Sequence, residues 1–317
     1  MRHVFEYENG TLMPYQSLVN VWLVESVSDT RDIPINGYSG KTLFGAFFNC
    51  AEIFRLLCVD DEKVFDFVVQ HVPQYDQVLV LVNSDIYGGA GGSLATASLN
   101  ESSKDIALHE LAHSLVYLAD EYLVGSTYIP DYEPVQVNST SVFNPLTVKW
   151  NYWFEDKNFV AGVNKPQYAE DEVGIFEGSF LRGLARPTFN SFMRSLGGTF
   201  GNVNREAWAL AFWRYYSQSL SSNAGFSPIT KHLSLSENPV VFSVPVTIDT
   251  ENIRVTWWIN DVEVEPGHSS PFLVVTAIDE SIQSVKVMIE DNTGYIRRDL
   301  DSVSKLQYVW SAGNENN

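Results

Sequence analysis

Two histidines and a glutamate stand at fixed spacing in Leu108-His109-Glu110-Leu111-Ala112-His113-Ser114. On a helix, residues four apart lie one turn from each other on the same face, so both imidazoles reach one metal ion. Glu110 then projects beside them, where it can take a proton from a water that the metal polarises. Zinc suits this set: neutral imidazole nitrogens, an open coordination position, and a water whose pKa falls toward ~7. His3, His71, His232 and His268 have no such partner nearby in sequence and are read as ordinary core or surface side chains.

A catalytic zinc site needs a third protein ligand. The nearest candidates are Asp120 and Glu121, in Leu118-Ala-Asp-Glu-Tyr122. On a straight helix Asp120 shares the histidine face but sits about 10 Å further along the axis than His113, out of reach. It serves only if the helix ends soon after His113 and the chain turns back. The glycine that usually permits such a turn is missing, with Val116 and Tyr117 in its place. A glutamate from a distant segment, Glu172, Glu177 or Glu206, is the alternative.

The elements that must position these groups read as α/β. Val19–Ser26 and Val78–Asn83 are expected as buried strands, the latter central and covered on both faces. Thr42–Cys58 and Asp61–Gln70 are expected as helices, Ser93–Leu99 as a strand, and Ile106–Ala119 as the helix bearing the histidines. On a helix Cys50 and Cys58 fall about 12 Å apart, beyond the roughly 7 Å that a disulfide spans, so both are expected as small core residues. The Gly-rich segment Tyr87–Gly92 lacks the Lys-Ser/Thr of a phosphate cradle and is expected as a turn. Leu94–Ser98, with small side chains, is the candidate edge for pairing with an extended substrate.

After a loop-rich stretch over 125–200, Val203–Leu220 returns to a helical pattern, and Ser221–Pro228 resembles a linker. Beyond it come short β-rich runs at 240–248, 253–259, 272–277, 284–290 and 306–311, with turn residues at Asn260-Asp261 and Asn292-Thr-Gly294. Closely spaced strands without a helix argue for a small sandwich of immunoglobulin type, by architecture only, since the Cys…Trp…Cys pattern is absent. The expected domains are 1–225 and 226–317.

Several of these segments together resemble the IgA-peptidase-type zinc metallopeptidases. They are Tyr75-Asp76, Val80–Asp85, Tyr87–Gly92, His109–Leu115, Leu118–Tyr122, Val173–Gly178 and Arg186-Pro-Thr…Ser191-Phe-Met-Arg194. The likeness covers approximately residues 18–220, and the strands around Thr256–Glu263 and Glu290–Gly294 look like the sandwich often appended to such enzymes. The resemblance implies a metzincin-like peptidase domain with a mixed sheet and an active-site helix. It implies zinc bound by His109 and His113, Glu110 as general base, and Asp120 as third ligand with Glu121 next. Ser191–Arg194 looks like a Met-turn, placing Met193 beneath the metal. The expected activity is hydrolysis of peptide bonds in a protein or peptide substrate. The competing reading is an inactive peptidase-like module that attaches to a surface protein or glycan.

Composition sets the outer limits. The chain has 317 residues, 45% of them hydrophobic, and 20 Lys+Arg against 39 Asp+Glu give a net charge of −19. Such a balance disfavours nucleic acid and anionic membrane surfaces, which need clustered cations. No stretch approaches the roughly 20 apolar residues of a membrane span, and the N-terminal residues lack the apolar core of a signal peptide. A monomer is expected, and the resemblance with its appended sandwich implies a place outside the cytoplasm, secreted, periplasmic or at the cell surface.

Overall fold

The computed structural model describes residues 2–124, 131–154, 172–222, 231–232, 240–244, 252–264, 270–276 and 281–311. None of its helices is long and apolar enough to cross a membrane. The chain divides into two compact units, Met1–Asn9 with Val21–Trp208, and Gly10–Asn20 with Ala209–Asn317. In chain order the first part runs α1 (Arg2–Gly10), β1 (Phe47–Phe48), β2 (Leu57–Cys58), α2 (Asp61–His71), β3 (Leu79–Val82), β4 (Gly89–Gly91) and β5 (Ala95–Ser98). Next come α3 (Ser103–Ser114), β6 (Val173–Glu177), β7 (Ala185–Thr188) and α4 (Asn202–Ser222). The expected linker at 221–228 lies outside the described residues except for 221–222, which end α4.

α2 starts where its sequence says it should. The Asp60 carboxylate accepts from the Lys63 backbone N–H at 3.3 Å, and Asp61 and Glu62 occupy the first turn, where the helix dipole favours negative charge. Its Val64 is fully buried against Val78 and Leu94, which seats the helix on the strand region.

The sheet beside α3 has the order β3-β5-β4. β5 is parallel to β3, with Leu79 opposite Ala95, and antiparallel to β4, with Gly91 opposite Ala95. The central strand is therefore β5, all four of whose residues are buried. Val78–Asn83 was expected at the centre, but β3 lies at the edge of this sheet and leaves Leu81 53% exposed. For the same reason Leu94–Ser98 is not a free edge: β5 is hydrogen-bonded on both sides. β4, inside the Gly-rich segment expected as a turn, is the other edge, and among the described residues its outer side carries only an isolated bridge between Gly89 and Leu56.

Glycine is needed there because α3 lies directly over β4. A Cβ on Gly89 would stand 2.8 Å from Glu110 Cγ, and one on Gly91 2.5 Å from His113 Cβ. Both distances are well inside van der Waals contact, so any larger residue would push the helix off the strand.

Two further expectations fail for identifiable reasons. Thr42–Cys58 is not a helix. β1 and β2 pair antiparallel, Phe47 opposite Cys58, and the chain between them turns through left-handed Asn49, Ala51 and Glu52. An apolar run alone does not distinguish helix from strand. The hairpin brings the Cα atoms of Cys50 and Cys58 to 6.2 Å, and they form a disulfide. Val19–Ser26 is likewise not a strand: it pairs with no other strand among the described residues, and Trp22 and Leu23 are 62% and 85% exposed.

The second unit holds β8 (Lys231–His232), β9 (Val240–Ser243), β10 (Ile253–Ile259), β11 (Val262–Val264), β12 (Phe272–Val275), β13 (Ser284–Asp291) and β14 (Lys305–Ser311). One sheet has the order β11-β10-β13-β14-β8, and β12 pairs with β9 in another. Period-two alternation places Val285, Val287 and Ile289 of β13 in the core. Asn260 and Asp261 both adopt positive φ in the two-residue connection from β10 to β11, as a type I′ hairpin requires. The two sheets meet where Phe242 packs edge-on against Trp310, which stacks on buried Trp257.

The disulfide closes a short loop, with a sequence separation of 8. Replacing Cys50 and Cys58 together by Ser should cost about 2–3 kcal/mol by the loop-entropy relation. A lower urea midpoint with unchanged slope would show it; an unchanged midpoint would refute it.

Candidate metal centre

α3 ends at Ser114, one residue after His113, with Leu115 as its C-cap. The chain then reverses. The Tyr117 N–H donates to His113 O at 3.2 Å and the Leu118 N–H to Ala112 O at 3.0 Å. Tyr117 takes φ +62°, the left-handed conformation that terminates helices and normally falls to glycine. The missing glycine thus does not prevent the turn; an exposed tyrosine makes it at some cost in backbone strain.

The reversal returns Asp120 to the histidines. Asp120 Oδ1 lies 3.1 Å from His109 Nε2 and 3.1 Å from His113 Nε2, and the two Nε2 atoms are 3.2 Å apart. Among the described residues this trio is the one cluster of such side chains whose donor atoms converge on a common point. Donors about 2.0–2.1 Å from a tetrahedral ion stand roughly 3.3 Å from one another, so the trio matches three corners of such a site. Its chemistry agrees. At most one proton can sit between two facing imidazole nitrogens, whereas a cation at their common focus satisfies both. His113 Nδ1–H donates to Leu118 O at 2.7 Å, which orients the ring and leaves Nε2 as the nitrogen that faces Asp120.

The electrostatics follow from burial. Burial lowers the His113 pKa, but the hydrogen bond and charge of Asp120 outweigh it and raise the value to about 9. For Asp120, burial pushes upward and the two histidines hold the carboxyl well below its usual range. Glu110 is raised, first by burial, against the opposing pull of both histidines. These groups open into a cleft of about 1290 Å³, also lined by Arg55, Tyr87, Gly91, Tyr122 and Arg194.

Glu121 goes elsewhere. Fully buried, it accepts from Asn138 Nδ2 at 3.0 Å, Asn204 Nδ2 at 2.9 Å and Ser191 Oγ at 2.8 Å. Its backbone N–H donates to Met193 O at 2.9 Å. Asn138 also pairs with both backbone groups of Ala119, and Ser179 Oγ donates to Asp120 O. Residues 119–121 are thereby clamped on either side of the Asp120 side chain. Asn138, Ser179 and Asn204 carry this clamp, and no local sequence pattern marks them. Met193 is 1% exposed in the turn Ser191–Arg194, and the neighbouring Phe192 ring lies 6.0 Å from that of His109. Of the distant glutamates, Glu206 accepts from Tyr152 and Trp153 and Glu177 is exposed in β6; neither joins the trio, nor does Glu172.

The family model described as IgA Peptidase M64 matches residues 4–166, a little over half of the chain. The match includes α3 and Asp120 and stops before Ser191–Arg194. No curated protein matches the sequence.

Two outcomes follow from this geometry. Tyr117→Gly should stabilise the protein by about 1 kcal/mol, since it relieves a left-handed non-glycine residue whose side chain is 67% exposed. Urea unfolding measures this, and a loss of stability would contradict it. His113 is raised in the folded state, so its contribution is complete below its ordinary value of 6.5 and is lost as pH rises through about 9. The metal-free protein should therefore weaken over that window in chelator, and His113→Gln should flatten the slope. Added zinc should reverse the trend, because binding requires neutral imidazoles.

Proposed function

The chain belongs to the IgA peptidase M64 family, and on that premise we propose that it is a zinc-dependent metalloendopeptidase working through His109, His113, Asp120 and Glu110. The observation that carries this reading is the meeting of Asp120 Oδ1 with both Nε2 atoms at 3.1 Å. A zinc ion held by these three residues would supply Lewis acidity to the scissile carbonyl and to water. Glu110, half-buried beside the histidines in the cleft, takes the proton from the attacking water and passes it to the departing amine. Its raised pKa suits a group that must hold that proton between the two steps.

An extended substrate needs a sheet edge, and β4 offers one. It pairs with β5 on one side, its contact with residues 55–56 is confined to Gly89, and it runs along α3 at Glu110 and His113. We read Ser191–Arg194 as a Met-turn, supported by the burial of Met193 and its backbone bond to Glu121. The immunoglobulin-like reading of the second unit is supported by its strand content and by the Phe242–Trp310 contact. The Cys50–Cys58 disulfide supports a place in an oxidising compartment outside the cytoplasm. The inactive-module alternative is disfavoured, since the general base and the converging trio are all in place.

Glu110→Gln should lower cleavage of a generic unfolded protein at least about 100-fold while zinc uptake is retained. Chelator should abolish the wild-type activity and zinc restore it. Undiminished turnover in the variant would overturn the role of Glu110.

A further inference from the structure

The cleft brings two arginines close to the candidate metal centre of a strongly anionic protein. Its charged lining other than the histidines consists of Glu110, Asp120, Arg55 and Arg194. The two carboxylates belong to the candidate metal centre, and Asp120 is engaged by both histidines. Neither arginine has a carboxylate within ion-pair distance among the described residues. Other basic side chains do form ion pairs, as in Arg2–Glu6, Arg205–Glu8, Lys149–Glu133 and Lys305–Glu290.

Arg55 is also held in place. It lies in the loop closed by the Cys50–Cys58 disulfide, and its carbonyl accepts the Gly89 N–H at 3.2 Å at the start of β4. Its Nη2 donates to Tyr122 OH at 2.8 Å, and the guanidinium stands 5.5 Å from the Tyr122 ring centroid. Among the described residues this arrangement uses one of the five guanidinium N–H donors, and the planar fork fits a carboxylate. Tyr122 in turn follows Asp120 by two residues and its ring lies 6.4 Å from that of His109, so the cation sits beside the reacting centre.

We propose that Arg55 is a specificity residue that selects substrates carrying an acidic side chain close to the scissile bond. The proposal rests on the peptidase reading above and assigns the substrate class to that same cleft. A substrate strand laid along β4 would pass the loop that carries Arg55, whose carbonyl meets Gly89 at the start of that strand. Arg194, which bonds Phe189 O and stacks on the Phe189 ring, adds positive potential to the same cleft.

The test profiles cleavage of a peptide library made from a digested proteome, using the full-length zinc-loaded protein. Asp and Glu should be enriched at one position flanking the cleaved bond. On a matched peptide pair with Glu or Gln at that position, kcat/KM should favour Glu about tenfold or more. Arg55→Gln should level that ratio, Arg55→Lys should keep part of it, and Arg55→Glu should turn the preference toward Lys and Arg. A role confined to holding Tyr122 would slow both peptides equally and leave the ratio intact, which would overturn the proposal. So would an unbiased wild-type profile. Binding is read separately by fluorescence anisotropy with Glu-containing and Gln-containing octapeptide pools on zinc-loaded Glu110→Gln protein, with and without Arg55→Gln. Tighter binding of the Glu pool that depends on Arg55 supports the assignment even if no peptide is cleaved, a result that would sink the peptidase reading alone. Equal binding of the two pools refutes the assignment.

Discussion

The structure turns on the reversal of the chain immediately after His113. A helix continued by two more turns would carry Asp120 about 10 Å beyond the histidines. Instead the left-handed Tyr117 ends the helix, and Asp120 comes back to within 3.1 Å of both Nε2 atoms. Three donors at one focus, with Glu110 beside them, make a candidate metal centre. Without the turn there are two histidines and an unrelated carboxylate.

A reversal needs support on its far side, because a lone carboxylate drawn between two imidazoles is easily pulled away. The support is a buried polar clamp. Asn138 grips the backbone of Ala119, Ser179 grips that of Asp120, and Glu121 is fixed by Asn138, Asn204 and Ser191. Glu121 is thus the anchor for Asp120, and through Met193 O it ties the site to the turn at 191–194. On the opposite side Gly89 and Gly91 let α3 settle onto β4, which brings the helix face against an open sheet edge. The disulfide-closed loop then sets Arg55 at the mouth of the same cleft.

What could be read from the chain depended on how local the deciding force was. α2, α4 and β9, β10, β12, β13 and β14 were legible, since capping residues, helical spacing and period-two alternation act within a few residues, whereas the short β8 and β11 were not. The Asn260-Asp261 hairpin was legible because two positive φ values are a local demand. Thr42–Cys58 was misread because an apolar run has the same composition in a buried helix and in a hairpin. Val78–Asn83 and Leu94–Ser98 exchanged roles because strand order in a sheet is set by pairing partners, and no strand carries that information alone. The Gly-rich segment looked like a turn because the reason for its glycines, the helix above, lies some twenty residues on.

By itself the sequence determined that His109 and His113 share one face of a helix with Glu110 beside them, because helical spacing fixes it. It also determined the acidic character of the protein and the presence of a β-rich C-terminal part. Tertiary structure alone decided which carboxylate joins the histidines, with Asp120 facing them and its neighbour Glu121 facing a buried polar cluster. It alone placed the cysteines in contact and Arg55 in the cleft. The physical reason is the same in each case. Spacing along one helix is fixed by covalent geometry, whereas the meeting of distant segments depends on where the chain turns and what buried partners hold it there.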